Sequence, residues 1–134
     1  MSDKSPCPCR AGSPEAVVYG TCCGPVHRGG AGLGTTAEQL MRARYSAYAL
    51  ADGPFILASW HPDTRPKSVS FPDEQRWHGL TVIETTGGGG LESEGTVEFA
   101  AKFSRGGQHF ELHELSSFVR EGGTWFYVDG FNPD

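Results

Sequence analysis

Over residues 35–51 the apolar residues recur with a helical period. Leu40, Ala43, Ala47 and Leu50 form one stripe, with Met41, Tyr45 and Tyr48 beside it and Arg42 and Arg44 flanking it. Thr35 with Glu38 three residues on fits a capping box, and Gly53-Pro54 fits a stop, so a helix is predicted over 35–51. A shorter helix is predicted over 55–60, ending before Pro62, which disfavours helical backbone at His61. Residues 62–76 hold three prolines and no period, and read as a loop placed to cover an opening. The period then changes to two. Segments 77–85, 95–104, 108–120 and 124–130 read as strands. In the second, Val97, Phe99, Ala101 and Phe103 alternate with Glu98 and Lys102, so one face is apolar. Glycines at 87–90, 106–107 and 122–123 supply the turns. Helices followed by an antiparallel meander predict an α+β domain, with helices packed on one face of a sheet.

The first 34 residues have no such pattern; they hold all four cysteines, Cys7, Cys9, Cys22 and Cys23, with His27 close behind. Thiolates gathered so tightly read as one tetrahedral metal site, and zinc suits four such donors. Pro8 gives the bent turn that lets Cys7 and Cys9 face one ion, and Gly20 and Gly24-Pro25 permit the sharp turn at Cys22-Cys23. The fourth ligand is Cys23 or His27; Cys23 is favoured, because four thiolates make a closed structural site. Such a site folds a segment and performs no chemistry. The reading divides the chain into a zinc-binding segment and glycine-rich linker (1–34) and an α+β domain (35–134). The linker, GGAGLG, lacks the Lys-Ser/Thr pair of a phosphate loop.

Charge narrows the partners. The chain carries a net −5. Residues 1–34 hold three basic and two acidic side chains; residues 35–134 hold 8 and 14. An acidic body argues against a nucleic-acid backbone as partner. The start, MSDKSPCPCR, has no apolar core of a secretory signal, and no stretch approaches a membrane span, so a cytoplasmic location is expected. In a reducing compartment clustered cysteines favour metal; two disulfides in a secreted chain are the competing reading. The hydrophobic share is only 37%, but 8 Phe, 3 Trp and 4 Tyr supply large areas for a core.

The series Cys7-Pro-Cys9, Tyr19, Cys22-Cys23-Gly24-Pro25 resembles the SEC-C zinc motif, found at the C-terminus of the SecA translocation ATPase and in bacterial YchJ-type proteins. Leu40-Met41-Arg42-Ala43-Arg44-Tyr45-Ser46-Ala47-Tyr48, Trp60-His61-Pro62, Trp77-His78-Gly79-Leu80, Gly95-Thr96-Val97-Glu98-Phe99 and Trp125-Phe126-Tyr127-Val128-Asp129-Gly130 look like the YchJ family body. The resemblance implies a nuclear-transport-factor-2-like cone, a curved antiparallel sheet wrapped around a pocket by N-terminal helices. The spacer between the cysteine pairs is longer here than in the usual motif, and its Gly-Ser-Gly is shifted to Arg10-Ala11-Gly12-Ser13. Longer members carry a second SEC-C copy, which these 134 residues do not show. The resemblance gives a fold and a metal, and no reaction.

Cone folds host dehydratases, isomerases, hydrolases and non-catalytic binding or dimerisation modules. The candidate chemistry in the body is Glu114, His113, His61, Asp129, Tyr45, Tyr48 and Arg44. Glu114 shares a strand face with Phe110, Leu112, Ser116 and Phe118; if that face points inward, it is a general acid or base, aided by Tyr45 and Arg44. The plainer reading is an ion pair with Arg44 or Arg42 that holds helix to sheet. His113 points to the opposite face of a regular strand. His61 reads as a capping or surface histidine, Tyr45 and Tyr48 as core, and Asp129 as a turn former before Gly130. No nucleophile elbow or HExxH site is present. Two functions follow: a binding or adaptor module whose knuckle meets a protein partner while the cone holds a small ligand or a second copy of the chain, or a small-molecule enzyme.

Overall fold

The expected layers are present, with boundaries set by local caps. The computed structural model describes residues 2–11, 13, 17–29, 36–89 and 91–133. Three helices, α1 (Cys23–Gly29), α2 (Ala37–Ala49) and α3 (Gly53–Ala58), precede four strands, β1 (Gln75–Gly87), β2 (Glu94–Arg105), β3 (Gln108–Glu121) and β4 (Thr124–Phe131). The strands form one antiparallel sheet in chain order.

Two helix boundaries differ from the sequence reading. The cap of α2 is Thr36, whose hydroxyl accepts the Gln39 N–H at 3.2 Å; Thr35 lies outside the described residues. Gly53-Pro54 begins α3 instead of ending α2. The Asp52 carboxylate accepts the Phe55 N–H at 3.2 Å, and Pro54 sits in the first turn, where a missing N–H costs nothing. α2 has already ended, with Ala51 in the left-handed region at φ 55°. The short helix α1 was not foreseen, because its residues include Gly24 and Pro25.

The hairpins follow from their glycines. Gly106 and Gly107 have φ of 58° and 83°, and Gly122 and Gly123 have 59° and 82°, the two positive values a two-residue type I′ turn demands. A bulge between Trp77 and Gly79 puts Trp77 and Leu80 on one face although they are three apart. Asp129 lies within β4 opposite Ser117, exposed, and the strand continues through Phe131, so the turn expected at Asp129 is absent.

The core joins α2 to the sheet. Leu40, Ala43, Ala47, Ile56, Val97, Ala101 and Trp125 are all fully buried. The four cysteines belong to the same buried cluster. The cysteine segment lies against α2 and β1: Arg42 Nη1 donates to Cys9 O at 3.2 Å, and the Leu80 N–H donates to Ala11 O at 3.1 Å. In loop 62–74, Phe71 packs edge-on against Tyr48, with centroids 6.2 Å apart.

Candidate functional site

Two sites flank α2. The first is the cysteine cluster. Cys7 caps a 3₁₀ turn, Pro8–Arg10, that carries Cys9; a second turn, Tyr19–Thr21, delivers Cys22, and Cys23 opens α1. The arms are tied by Cys7 N–H to Val17 O and Tyr19 N–H to Ser5 O, both 2.8 Å. A side chain at Gly24 would strike the Tyr19 carbonyl, so this sharp turn requires glycine.

The result is four buried sulfurs, all within 4.8 Å of one another, with no disulfide among them. Sγ of Cys9 lies 3.7 Å from Cys7 and 3.5 Å from Cys22. Four thiolates about 2.3 Å from one zinc ion stand roughly 3.8 Å apart, so the cluster fits a tetrahedral soft-metal site. Hydrogen bonds from Cys23 and then Cys9 pull the Cys7 thiol far down, and the matching bonds to Cys7 and Cys9 hold Cys23 far up. A dication relieves that cost by stabilising all four thiolates.

His27 is committed elsewhere. Its Nε2 meets the Ala43 carbonyl at 2.8 Å and must donate, so its Nδ1 accepts the Tyr19 hydroxyl at 2.6 Å. Its ring also packs on Phe55, centroids 4.6 Å apart. The histidine clamps α1 to α2. The Ser46 hydroxyl, fully buried on α2, instead reaches the cysteine cluster, donating to Cys23 Sγ at 3.3 Å with Cys7 Sγ at 3.6 Å.

On the other side of α2 is a cavity of about 270 Å³ between helices and sheet. Aromatic rings of Trp60, Trp77, Phe99 and Phe118 form much of its wall. Arg44, Tyr48, Glu114, Ser116 and Tyr127 supply its polar groups. The inner face of β3 reaches it as expected, though it grades outward: Phe118 is 2% exposed and Phe110 44%.

Glu114 is half-buried and lies in no ion pair among the described residues. Its Oε2 accepts the Ser116 hydroxyl at 2.6 Å and the Tyr127 hydroxyl at 3.3 Å. Gly130 leaves room for this carboxylate, since a Cβ there would fall on it. Arg42 pairs instead with Glu38, at 3.0 Å. Arg44 is buried, not flanking: its Nη1 donates to Ile56 O at 3.0 Å and Ser59 Oγ at 2.6 Å. The guanidinium lies over the rings of Trp60 and Tyr127, 4.8 and 4.2 Å from their centroids. Burial lowers its pKa to about 10, which leaves it cationic at neutral pH.

Tyr45 contributes a ring to the wall, but its hydroxyl is buried and makes no hydrogen bond among the described residues. Burial pushes that phenol up to about 12, against an opposing influence of the Gly79 backbone. Burial, then the Glu114 charge, pushes the Tyr127 phenol up as well.

The other candidates lie outside the cavity. His113 is on the outer face, 2.7 Å from Glu98 Oε2. His61 is buried at the end of α3; its Nδ1 accepts the Asp63 N–H, so its Nε2 donates to Glu121 at 3.1 Å. Sequence reasoning missed Tyr127 and Trp60, and placed Ser116 on the face of Glu114 without giving it a role. Tyr127 was within reach, since it stands two residues from the buried Trp125 on β4 and so shares its face.

A model of the YchJ middle NTF2-like domain matches residues 36–130. A UPF0225 protein of Streptomyces avermitilis is 46% identical over 129 residues, 96% of this chain and 87% of that protein. One from Chromobacterium violaceum is 41% identical over 130 residues, 95% of this chain and 93% of that protein. The solution structure of a SEC-C motif containing protein from Rhodopseudomonas palustris superposes with a TM-score of 0.78 at 32% identity, covering 97% of this chain and 100% of that one. A crystal structure of another, from Psychrobacter arcticus, gives 0.77 at 28%, covering 95% and 82%. With the NTF2-like sheet and the N-terminal cysteine cluster both in place, the chain belongs to the YchJ, or UPF0225, family of SEC-C motif proteins.

Proposed function

We propose that this protein is a binding module, in which a structural zinc ion held by Cys7, Cys9, Cys22 and Cys23 stiffens residues 1–34 and the domain 35–134 holds a small molecule. The observation that carries the reading is the aromatic-walled cavity with a buried arginine on its wall. Concave, mostly apolar pockets with a few converging polar groups are the usual form of a ligand site. Four thiolates complete a tetrahedron and leave no position for water, so zinc supplies structure here and no reaction step. A reducing cytoplasm would keep the thiols available for metal. The exposed knuckle surface is the place for a protein partner, and a pull-down with native protein and Cys22→Ser compares what each recovers. The cavity is tested by screening small fragments against the zinc-loaded protein by amide NMR. Fragments that shift Arg44, Glu114 and Tyr127 together support the reading; a diverse screen that moves none of them ends it.

A second reading, a small-molecule enzyme, is favoured by one observation: Glu114 adjoins the cavity without an ion pair among the described residues. With Oε2 held by two hydroxyls, Oε1 is left to take or give a proton, and Arg44 would polarise the substrate. Tyr45 would shape the wall only. Turnover of any carbonyl or hydroxy compound, lost in Glu114→Gln with the fold intact, would establish it.

A further inference from the structure

The cavity holds one cation whose bonding is incomplete. Arg44 is 6% exposed and forms no ion pair among the described residues. Rings cover the guanidinium, with Trp60 and Tyr127 both within 5 Å of its carbon. Nη1 is taken by the Ile56 carbonyl and the Ser59 hydroxyl. What is left is the edge made by Nε and Nη2, which donates no hydrogen bond among the described residues although Arg44 lines the cavity. That edge presents two parallel N–H groups, the geometry that pairs side-on with a carboxylate. Such a cation, buried with Glu114 across the cavity but no directly paired anion among the described residues, is costly in a protein that keeps no ligand there.

The surroundings limit the anion. The walls are aromatic, and the volume of about 270 Å³ corresponds to roughly nine water volumes, enough for a compact ring or a short branched chain. Glu114 also faces the cavity, fixed by Ser116 and Tyr127, so a dianion would meet one positive charge and one negative. A single negative charge pairs directly with Arg44 and meets half the repulsion from Glu114 that a dianion would.

We infer that the cavity is a site for a small monocarboxylate with an aromatic or branched apolar body, its carboxylate seated on the Nε–Nη2 edge of Arg44 and its body against Trp77 and Phe99. This rests on the ligand-binding reading above and names the ligand class.

Benzoate and benzamide are near-isosteric probes that differ in charge, and inorganic phosphate tests for a bare anion site. Titrated into the zinc-loaded protein near neutral pH and followed by amide NMR, benzoate should bind about tenfold or more tightly than benzamide, the scale of one charge-assisted pair. Arg44→Met should abolish that preference. Because that variant removes a buried anchor of α3, Glu114→Gln provides an independent arm. Removing the neighbouring negative charge should strengthen benzoate binding several-fold and leave benzamide unchanged. Equal binding of benzoate and benzamide in the native protein would overturn the carboxylate assignment while leaving a ligand cavity in place. Phosphate outcompeting benzoate would overturn it in favour of an inorganic-anion site. A cavity that no probe or fragment shifts would end both readings.

Discussion

Ser46 donates a hydrogen bond to Cys23 Sγ at 3.3 Å from the second half of α2, while Arg44 and Tyr45, two and one residues earlier, line the cavity. One helix is therefore a wall of both sites. A ligated thiolate that accepts a hydrogen bond is oriented and stabilised by it. Ser46→Ala should weaken metal retention about tenfold in competition with a chelator, the low end for such supporting contacts. It should also lower stability by ~1 kcal/mol, because a buried hydroxyl bond is lost. Unchanged chelator competition would show that Ser46 only packs.

The helix wall also governs what metal removal does. With the cysteine segment bonded to α2 through Arg42 and His27, and to β1 through Ala11, its loss cannot stay local. Chelation, or Cys22→Ser, should lower the melting temperature of the whole chain and shift amide signals of Arg44 and Tyr48. Signals changing only below residue 30 would mean that the segment folds independently.

The choice between Cys23 and His27 as fourth ligand is directly measurable. His27→Gln should retain one metal per chain by native mass, yet lose about 1–3 kcal/mol, since two buried hydrogen bonds and a ring contact go. Cys23→Ser should lose the metal. The reverse pattern would put His27 on the ion.

How much of this was legible in the sequence depended on what the signal required. The meander was, because period-two alternation and paired glycines act locally. The cysteine cluster was, because spacing alone gathers the four thiols. The role of Gly53-Pro54 was not, since a Gly-Pro pair can stop one helix or start the next, and Asp52 as a cap decided it. Arg44 looked like a flank of the helical stripe; α3 folding back over it, with Ile56 O and Ser59 as acceptors, and the rings of Trp60 and Tyr127 bury it. The partner expected for Glu114 was an arginine, and the structure supplies two hydroxyls, one from a strand 13 residues away. Long-range pairings of that kind leave no local trace.

Gly130 offers a steric test of the Glu114 position. A methyl group there meets the carboxylate, and two hydroxyl bonds hold the carboxylate in place. Gly130→Ala should cost about 1–3 kcal/mol, the range for overpacking. It should also weaken any cavity ligand without touching metal content. A variant as stable as the parent, with unaltered ligand binding, would show that Glu114 is free to turn away.

Alkaline stability follows from the buried phenols. Tyr45 has its folded pKa raised to about 12 from the ordinary 10. A raised folded pKa means stability fully present below pH 10 and lost as pH climbs toward 12, because the unfolded chain releases its proton first. Tyr48 and Tyr127 are shifted in the same direction by burial. Arg44 opposes them: lowered to about 10, it gives up its proton in the folded state before the unfolded chain does, which favours the fold over the same range. Three phenols against one guanidinium give a net loss. Tyr45→Phe separates the contributions, since its hydroxyl makes no hydrogen bond among the described residues. Its stability at pH 7 should lie within ~1 kcal/mol of the parent, and its melting temperature should fall less steeply between pH 10 and 12. A parallel fall in both proteins would mean that the Tyr45 hydroxyl reaches water in the folded state.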